Sequence, residues 1–190
     1  FTVKVRGKAS HAGFAPQDGV HAIRIAATAI AEMAIGRIGD DTTVNVGRIE
    51  GGRASNIVPD YCEVSGELRS FSHKKALEEL AKVEQIFAKE AEKCGGSIEF
   101  IRDICYQAYK TDENESVVKE FQKACTACGI KSSLIATFGG SDQNKMSEHG
   151  IPGIVMASAM HQVHSCQEYT EVSEMAQVAG IVSELLQMKE

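Results

Sequence analysis

The chain has 190 residues, 43% hydrophobic and 24% charged, the balance of a folded globular protein of one ordinary domain or two small ones. A net charge of −6 and a pI near 5.6 argue against nucleic acid as the main partner. No apolar stretch approaches the roughly 18–20 residues that span a bilayer, which argues against a membrane partner.

The first residues alternate, Phe1/Val3/Val5 against Thr2/Lys4/Arg6, and so predict a half-buried strand rather than a signal peptide. A start inside a strand, without Met, is expected to be a boundary within a longer chain. The stretch Ala12 to Gly19 is turn-rich, with Asp18 the expected N-cap of a first helix whose face is Ile23, Ala26, Ala27, Ile30 and Ala34. Strands are predicted at Thr42 to Ile49 and Tyr61 to Leu68, separated by the loop Gly51 to Asn56. Ser72 is placed to cap a second helix with Leu77, Leu80, Ala81, Phe87 and Ala91 on one face and Val83 and Ile86 beside it. Gly95 is placed to end that helix, and Ser97 to Tyr109 holds a further strand. This β-α-β-β-α-β order predicts a ferredoxin-like α+β domain, an antiparallel sheet with two helices on one face.

Composition changes at Lys110 to Glu115, giving predicted domains at 1–110 and 111–190. The second holds a helix (Ser116 to Cys128), a strand (Lys131 to Thr137), a short helix (Gln143 to Glu148), a buried strand (Pro152 to Ala157) and a last helix (Ser173 to Met188). Alternating helix and strand implies a parallel α/β sheet, and two strands are too few to close one, so this part reads as a piece of a larger α/β domain.

Several residues carry chemistry. His164, expected where the buried strand ends, can offer a ring nitrogen to a metal, but zinc needs three or four ligands and no His-x-Asp or loop carboxylate cluster supplies the rest. Gly139-Gly140-Ser141-Asp142 can hold an anion at a helix start, although Asp142 works against that and is the expected cap. His11, in Ser10-His11-Ala12-Gly13, can donate to an oxyanion or be an ordinary loop histidine. Asn56 is an Asx-turn residue or an amide donor to a substrate, and Arg69, at the end of the next strand, reads as a surface ion-pair partner. Cys125 and Cys128 could join His161 and His164 in a small zinc site. They lie at a helix C-terminus, however, where the dipole disfavours a thiolate. The six scattered cysteines read as reduced thiols and give a cytoplasmic expectation.

Five stretches together resemble one family. They are Gly7 through Ala22, Gly51 through Pro59, Gly66 through Ser70, Gly139-Gly140-Ser141-Asp142, and His164-Ser165-Cys166-Gln167-Glu168-Tyr169. In this order they resemble the two-domain di-zinc exopeptidase and deacylase family, with a peptidase T-like aminopeptidase flavour. The resemblance implies a lid or dimerisation domain over 1–110 and the C-terminal part of an α/β catalytic domain over 111–190. It implies that His164 is the last metal ligand and that His11 reaches a partner subunit's active site to steady a tetrahedral intermediate. Asn56 and Arg69 are implied to bind substrate, and Gly140, Ser141 and Asp142 to lie in the substrate-end loop. The implied cofactor is zinc, two per active site, with cobalt or manganese as alternatives. The implied partners are a small peptide or acyl-amino-acid substrate and a second copy bound through the lid. The other ligands and the general base of that family are missing from these residues, so the isolated chain is expected to be an inactive piece of a metallopeptidase. The alternative is a stand-alone, non-enzymatic, ferredoxin-like dimeric binding module.

Overall fold

The computed structural model describes residues 1–187, so Met188 of the predicted last helix lies outside the described residues. The chain divides into two compact units, Phe1–Ala108 and Tyr109–Glu190.

In the first unit, β1 (Thr2–Arg6), β2 (Ser10–His11), α1 (Ala22–Glu32), β3 (Gly36–Ile38), β4 (Thr42–Gly51), β5 (Ile57–Val58), β6 (Tyr61–Ser70), α2 (His73–Lys93) and β7 (Ser97–Ile101) follow in order. The main sheet runs β3-β4-β6-β1-β7. Strand β1 lies antiparallel between β6 and β7, as the split βαβ arrangement requires. Strict alternation gives the sheet two different faces. Val3, Val5, Cys62, Val64 and Val44 are buried in one cluster with Phe87 of α2 and Ile25, Ala26 and Ala29 of α1. The other face is solvated and ion-paired: Lys4 Nζ lies 3.3 Å from Glu99, and the Tyr61 hydroxyl donates to Glu63 at 2.8 Å. Burial of Cys62 pushes its thiol up from the usual range, so it behaves as a small core hydrophobe.

Three local expectations change. Helix α1 starts after His21, whose Nδ1 accepts from the Arg24 amide at 3.2 Å; Asp18 instead ends a 3-10 turn opened by Pro16. The later start turns the buried face to Ala22, Ile25, Ala26 and Ala29, leaving Ala27 and Ala34 exposed. In α2 the buried face is Val83, Phe87, Glu90 and Ala91, while Leu77 is exposed near the helix start. The edge strand β3 follows α1 directly, where the sequence shows only three residues and no alternation to read.

Ser72 does cap α2, accepting from the Lys75 amide at 3.4 Å. The helix ends on Gly95 at φ +74°, where the Gly96 amide bonds back to Ala91 at 2.8 Å and the Gly95 amide to Glu92 at 3.1 Å. Glycine enters that left-handed turn without the Cβ clash that other residues meet.

The second unit contains α3 (Ser116–Ala127), α4 (Asp142–Glu148), β8 (Met160–His161), β9 (Tyr169–Thr170) and α5 (Val172–Gln187). Its buried cluster is Ala124, Cys125 and Ile181. The predicted strands at 131–137 and 152–157 are not assigned, and the second is only partly buried: Gly153 is buried and Met156 packs beside the cluster, but Val155 is exposed, as is Ile135 in the first. A parallel ladder needs neighbours on its edges and layers on both faces, and two segments within this unit supply neither. Strands β8 and β9 form a two-residue antiparallel hairpin instead.

Candidate functional site

His11 sits in β2, which pairs antiparallel with β5 in the register Ser10↔Val58 and His11↔Ile57. The ladder continues one step further, because the Ala12 amide donates to the Asn56 carbonyl at 3.0 Å. Two residues 45 positions apart in sequence are thereby neighbours in a small two-stranded sheet, β2-β5, separate from the main one. The loop carrying Asn56 is held by a fork from Arg53 Nη2 to the two Asp60 oxygens at 3.0 and 2.8 Å. Gly19 explains how the turn after His11 folds under this ladder: a Cβ there would stand 2.4 Å from Ser10 Oγ and 2.8 Å from the Val58 side chain.

The chemistry of His11 follows from its hydrogen bonds. Its Nδ1 accepts from the Gly13 amide at 3.1 Å and the Phe14 amide at 3.2 Å. An imidazole nitrogen that accepts carries no proton, so the neutral ring bears its hydrogen on Nε2. The ring is exposed, and Nε2–H is a donor available to an oxygen brought to it. Phe14 stacks on this imidazole with ring centroids 4.4 Å apart and planes 28° apart.

Arg69 is elsewhere. It lies near the far end of β6, opposite Thr43, where its Nε and Nη2 donate to the two Glu67 oxygens at 2.9 Å each. That fork holds the Glu67 carboxyl below the usual carboxylate range and raises the Arg69 guanidinium further. Eight residue steps of strand, about 26 Å, separate Arg69 from Tyr61, which pairs with Arg6 at the end leading to His11. The lid therefore presents His11 and Asn56 at one end and Arg69 at the other.

In the second unit, His164 lies in the β8–β9 turn rather than at the end of a buried strand. Its φ is +63°, and Ala159 and Gln162 nearby are also left-handed. Its backbone amide donates to Glu168 Oε2 at 2.8 Å, and Ser165 Oγ donates to the Gln162 carbonyl at 2.7 Å. These bonds fix the backbone of His164 while its residue stays exposed. Glu168, four residues on, belongs to the same sequence motif, and its bond to the His164 amide gives that spacing a local structural reason. His161 is committed differently: Nε2–H donates to Glu174 at 2.6 Å, and the ring stacks on Tyr169 at 4.8 Å.

Gly140 is exposed and Ser141 is the N-cap of α4, with Asn144 Oδ1 accepting from the Ser141 amide at 3.0 Å. Asp142 is the first helical residue, not the cap, because the smaller Ser141 already occupies the capping position. Cys125 is buried and its thiol is pushed up by burial first and by Cys128 second, the reverse of a reactive thiolate. Among the described residues no group of three or more His, Cys, Asp or Glu could hold a metal ion. The Cys125, Cys128, His161, His164 set is thus not assembled among the described residues. No helix among the described residues is long and apolar enough to cross a membrane.

Residues 1–94 match the family model described as peptidase dimerisation domain, of the M20 type. An uncharacterised protein of Bacillus subtilis, YqjE, is 35% identical over 181 residues, covering 95% of this chain and 49% of that protein. The aminopeptidase PepT of Bacillus cereus has a crystal structure similar at TM-score 0.85 and 37% identity, covering 98% of this chain and 50% of the other. A tripeptidase of Staphylococcus aureus reaches TM-score 0.90 at 31% identity with the same coverage, 98% and 50%. The fold is shared with the Bacillus subtilis YXEP protein, a dinuclear metal binding peptidase from the M20 family, at TM-score 0.67 and 16% identity, covering 97% and 48%. The chain spans about half the length of these relatives. Those with solved structures are an aminopeptidase, a tripeptidase and a metal binding peptidase, and the matched domain is one of dimerisation rather than catalysis. With a ferredoxin-like sheet and the matching region in place, residues 1–94 form a peptidase dimerisation domain of the M20 type, in a chain similar to M20 family peptidases along nearly its whole length.

Proposed function

We propose that this chain supplies the lid (1–110) and the C-terminal catalytic segment (111–190) of a metal-dependent exopeptidase of the peptidase T-like aminopeptidase type. The reaction is hydrolysis of a peptide or amide bond. A water oxygen bonds to the carbonyl carbon, the C–N bond breaks, and the amine leaves with a proton. The observation that carries this reading is the His11 hydrogen-bond set: Nδ1 tied to two backbone amides leaves Nε2–H as a fixed donor for the developing oxyanion. Asn56, on the adjoining strand, adds an amide at the same end of the lid.

Arg69, held by Glu67, is the substrate-carboxylate binder in this reading. Arg69 lies about 26 Å along β6 from Tyr61, whose end of the strand leads to His11, so in this reading the two ends serve different sites. A homodimer through the lid supplies both, with His11 and Asn56 serving the partner's site and Arg69 its own. In this reading His164 is one metal ligand, and residues outside these 190 would supply the others. A bound metal, zinc with cobalt or manganese as alternatives, would supply water activation there. Gly140, Ser141 and Asp142 border the substrate end, and the substrate is a small peptide or acyl-amino acid. The cysteines, all free, support a cytoplasmic location.

The test compares this 190-residue chain with the full product of its reading frame on tripeptides with added Zn²⁺, Co²⁺ or Mn²⁺. The chain alone should show negligible turnover. In the active full product His11→Gln should lower kcat by about 10²–10³ with little change in KM. Hydrolysis by the chain alone, or an unchanged kcat in the variant, defeats the reading.

A further inference from the structure

Phe14 is the most exposed large hydrophobic among the described residues, at 86%. It is nonetheless not loose. Its amide is bonded to His11 Nδ1, the next amide, of Ala15, returns to the His11 carbonyl at 3.0 Å, and Pro16 opens the turn that follows. Its ring is stacked on the imidazole whose outer nitrogen is the donor. Nothing in the first unit's packing uses this ring, since it is absent from the core cluster and its partly buried rim.

We infer that Phe14 is a specificity-determining residue, the apolar wall for the side chain next to the carbonyl that His11 polarises; this rests on the peptidase reading above. An oxygen accepting from Nε2–H at the usual ~2.9 Å stands about 4 Å from the imidazole centre in the ring plane, and so about 6 Å from the centre of the Phe14 ring. The carbonyl carbon, its α-carbon and the first side-chain atoms follow within three bonds, which puts them within van der Waals reach of the phenyl face. The acyl-side residue of the substrate is then apolar, Leu, Met or Phe rather than Gly, Asp or Glu. Because the phenyl ring is positioned by its own backbone, little ordering cost accompanies the contact. The chemistry of catalysis stays with Nε2–H, and Phe14 sorts what reaches it.

The experiment uses the full product of the reading frame, as wild type, Phe14→Ala and Phe14→Leu, with Leu-Gly-Gly and Gly-Gly-Gly as substrates. The wild type should favour Leu-Gly-Gly in kcat/KM. In Phe14→Ala that preference should fall about tenfold, mainly through KM, and in Phe14→Leu most of it should return. An unchanged preference in Phe14→Ala overturns the inference while leaving the peptidase reading intact. So does dissociation of the Phe14→Ala dimer in sedimentation velocity, which would make Phe14 an interface residue. Absence of hydrolysis of either peptide by the wild type overturns the peptidase reading, and this inference with it.

Discussion

The two units contain comparable helices, yet they treat their apolar residues in opposite ways. In Phe1–Ala108, thirteen buried residues form one cluster between a sheet face and two helices. In the second unit, three do so among the described residues, while Ile135 is 83% exposed and Val172 80%. The difference is not one of composition but of opposing surface. Helices α1 and α2 meet a complete antiparallel sheet, whereas the apolar segments around 131–137 and 152–157 find no ladder within their unit. Side-chain patterning declares which residues seek burial; it does not create the layer that buries them.

The sharpest way to break this contrast is to open a cavity in the first unit. Phe87 is fully buried at its centre, so Phe87→Ala should cost about 3–5 kcal/mol, read from urea unfolding with residue-resolved hydrogen exchange on β1 and β6. A cost below 1 kcal/mol would mean that this unit has no more of an interior than the other.

Acid should sharpen the contrast. Glu90 is a buried carboxylate of the first unit, bonded to Lys93, which also lies 3.8 Å from Glu32 of α1. Its hydrogen bond from Lys93 holds its carboxyl below the usual range. The stabilisation is therefore complete above the ordinary carboxylate value of about 4.3 and is lost as pH falls through the depressed folded-state value. Exchange protection in α2 should decline below about pH 4, and Glu90→Gln should flatten that decline. An identical acid limb in the variant would show that another group controls it.

The smallest expected effect is in the second unit. Ile135→Ser and Val172→Ser remove side chains that the folded chain already leaves in water, and each should shift stability by no more than about 0.5 kcal/mol. Binding of an apolar dye should fall in the double variant. A large stability loss would show that these residues are buried in solution.

This contrast also explains what was legible in the sequence. The ferredoxin-like order could be read because β1, β4 and β6 are long enough to alternate, and because Val3, Val5, Cys62 and Val64 face a layer encoded in the same stretch of chain. Ser72 and Gly95 announced both ends of α2, since caps are local chemistry. Position 131–137 misled because an apolar run reads the same with or without a neighbour to pair with. At the candidate site, the types of His11, Asn56 and Arg69 were visible, but their placement was not. A two-residue ladder such as β2–β5 has no period to detect, and the separation of Arg69 from His11 is a property of register. Phe14 was passed over because an aromatic in a glycine-rich turn carries no repeating pattern. Its stacking on His11 emerges only once both amides bend back to Nδ1.

Strand β6 has one more consequence. It is a spacer of fixed length between the lid's two polar ends, and it does not tolerate gradual change. One inserted residue would turn every later side chain to the opposite face, sending Arg69 toward the helices, and two would restore the face but move Arg69 by about 6.6 Å. Length changes should be tolerated more readily in the turns, such as that around Gly39 and Asp40 between β3 and β4, or at a bulge like that between Val46 and Arg48 of β4. From Tyr61 to Arg69 the strand should accept changes of composition more readily than changes of length.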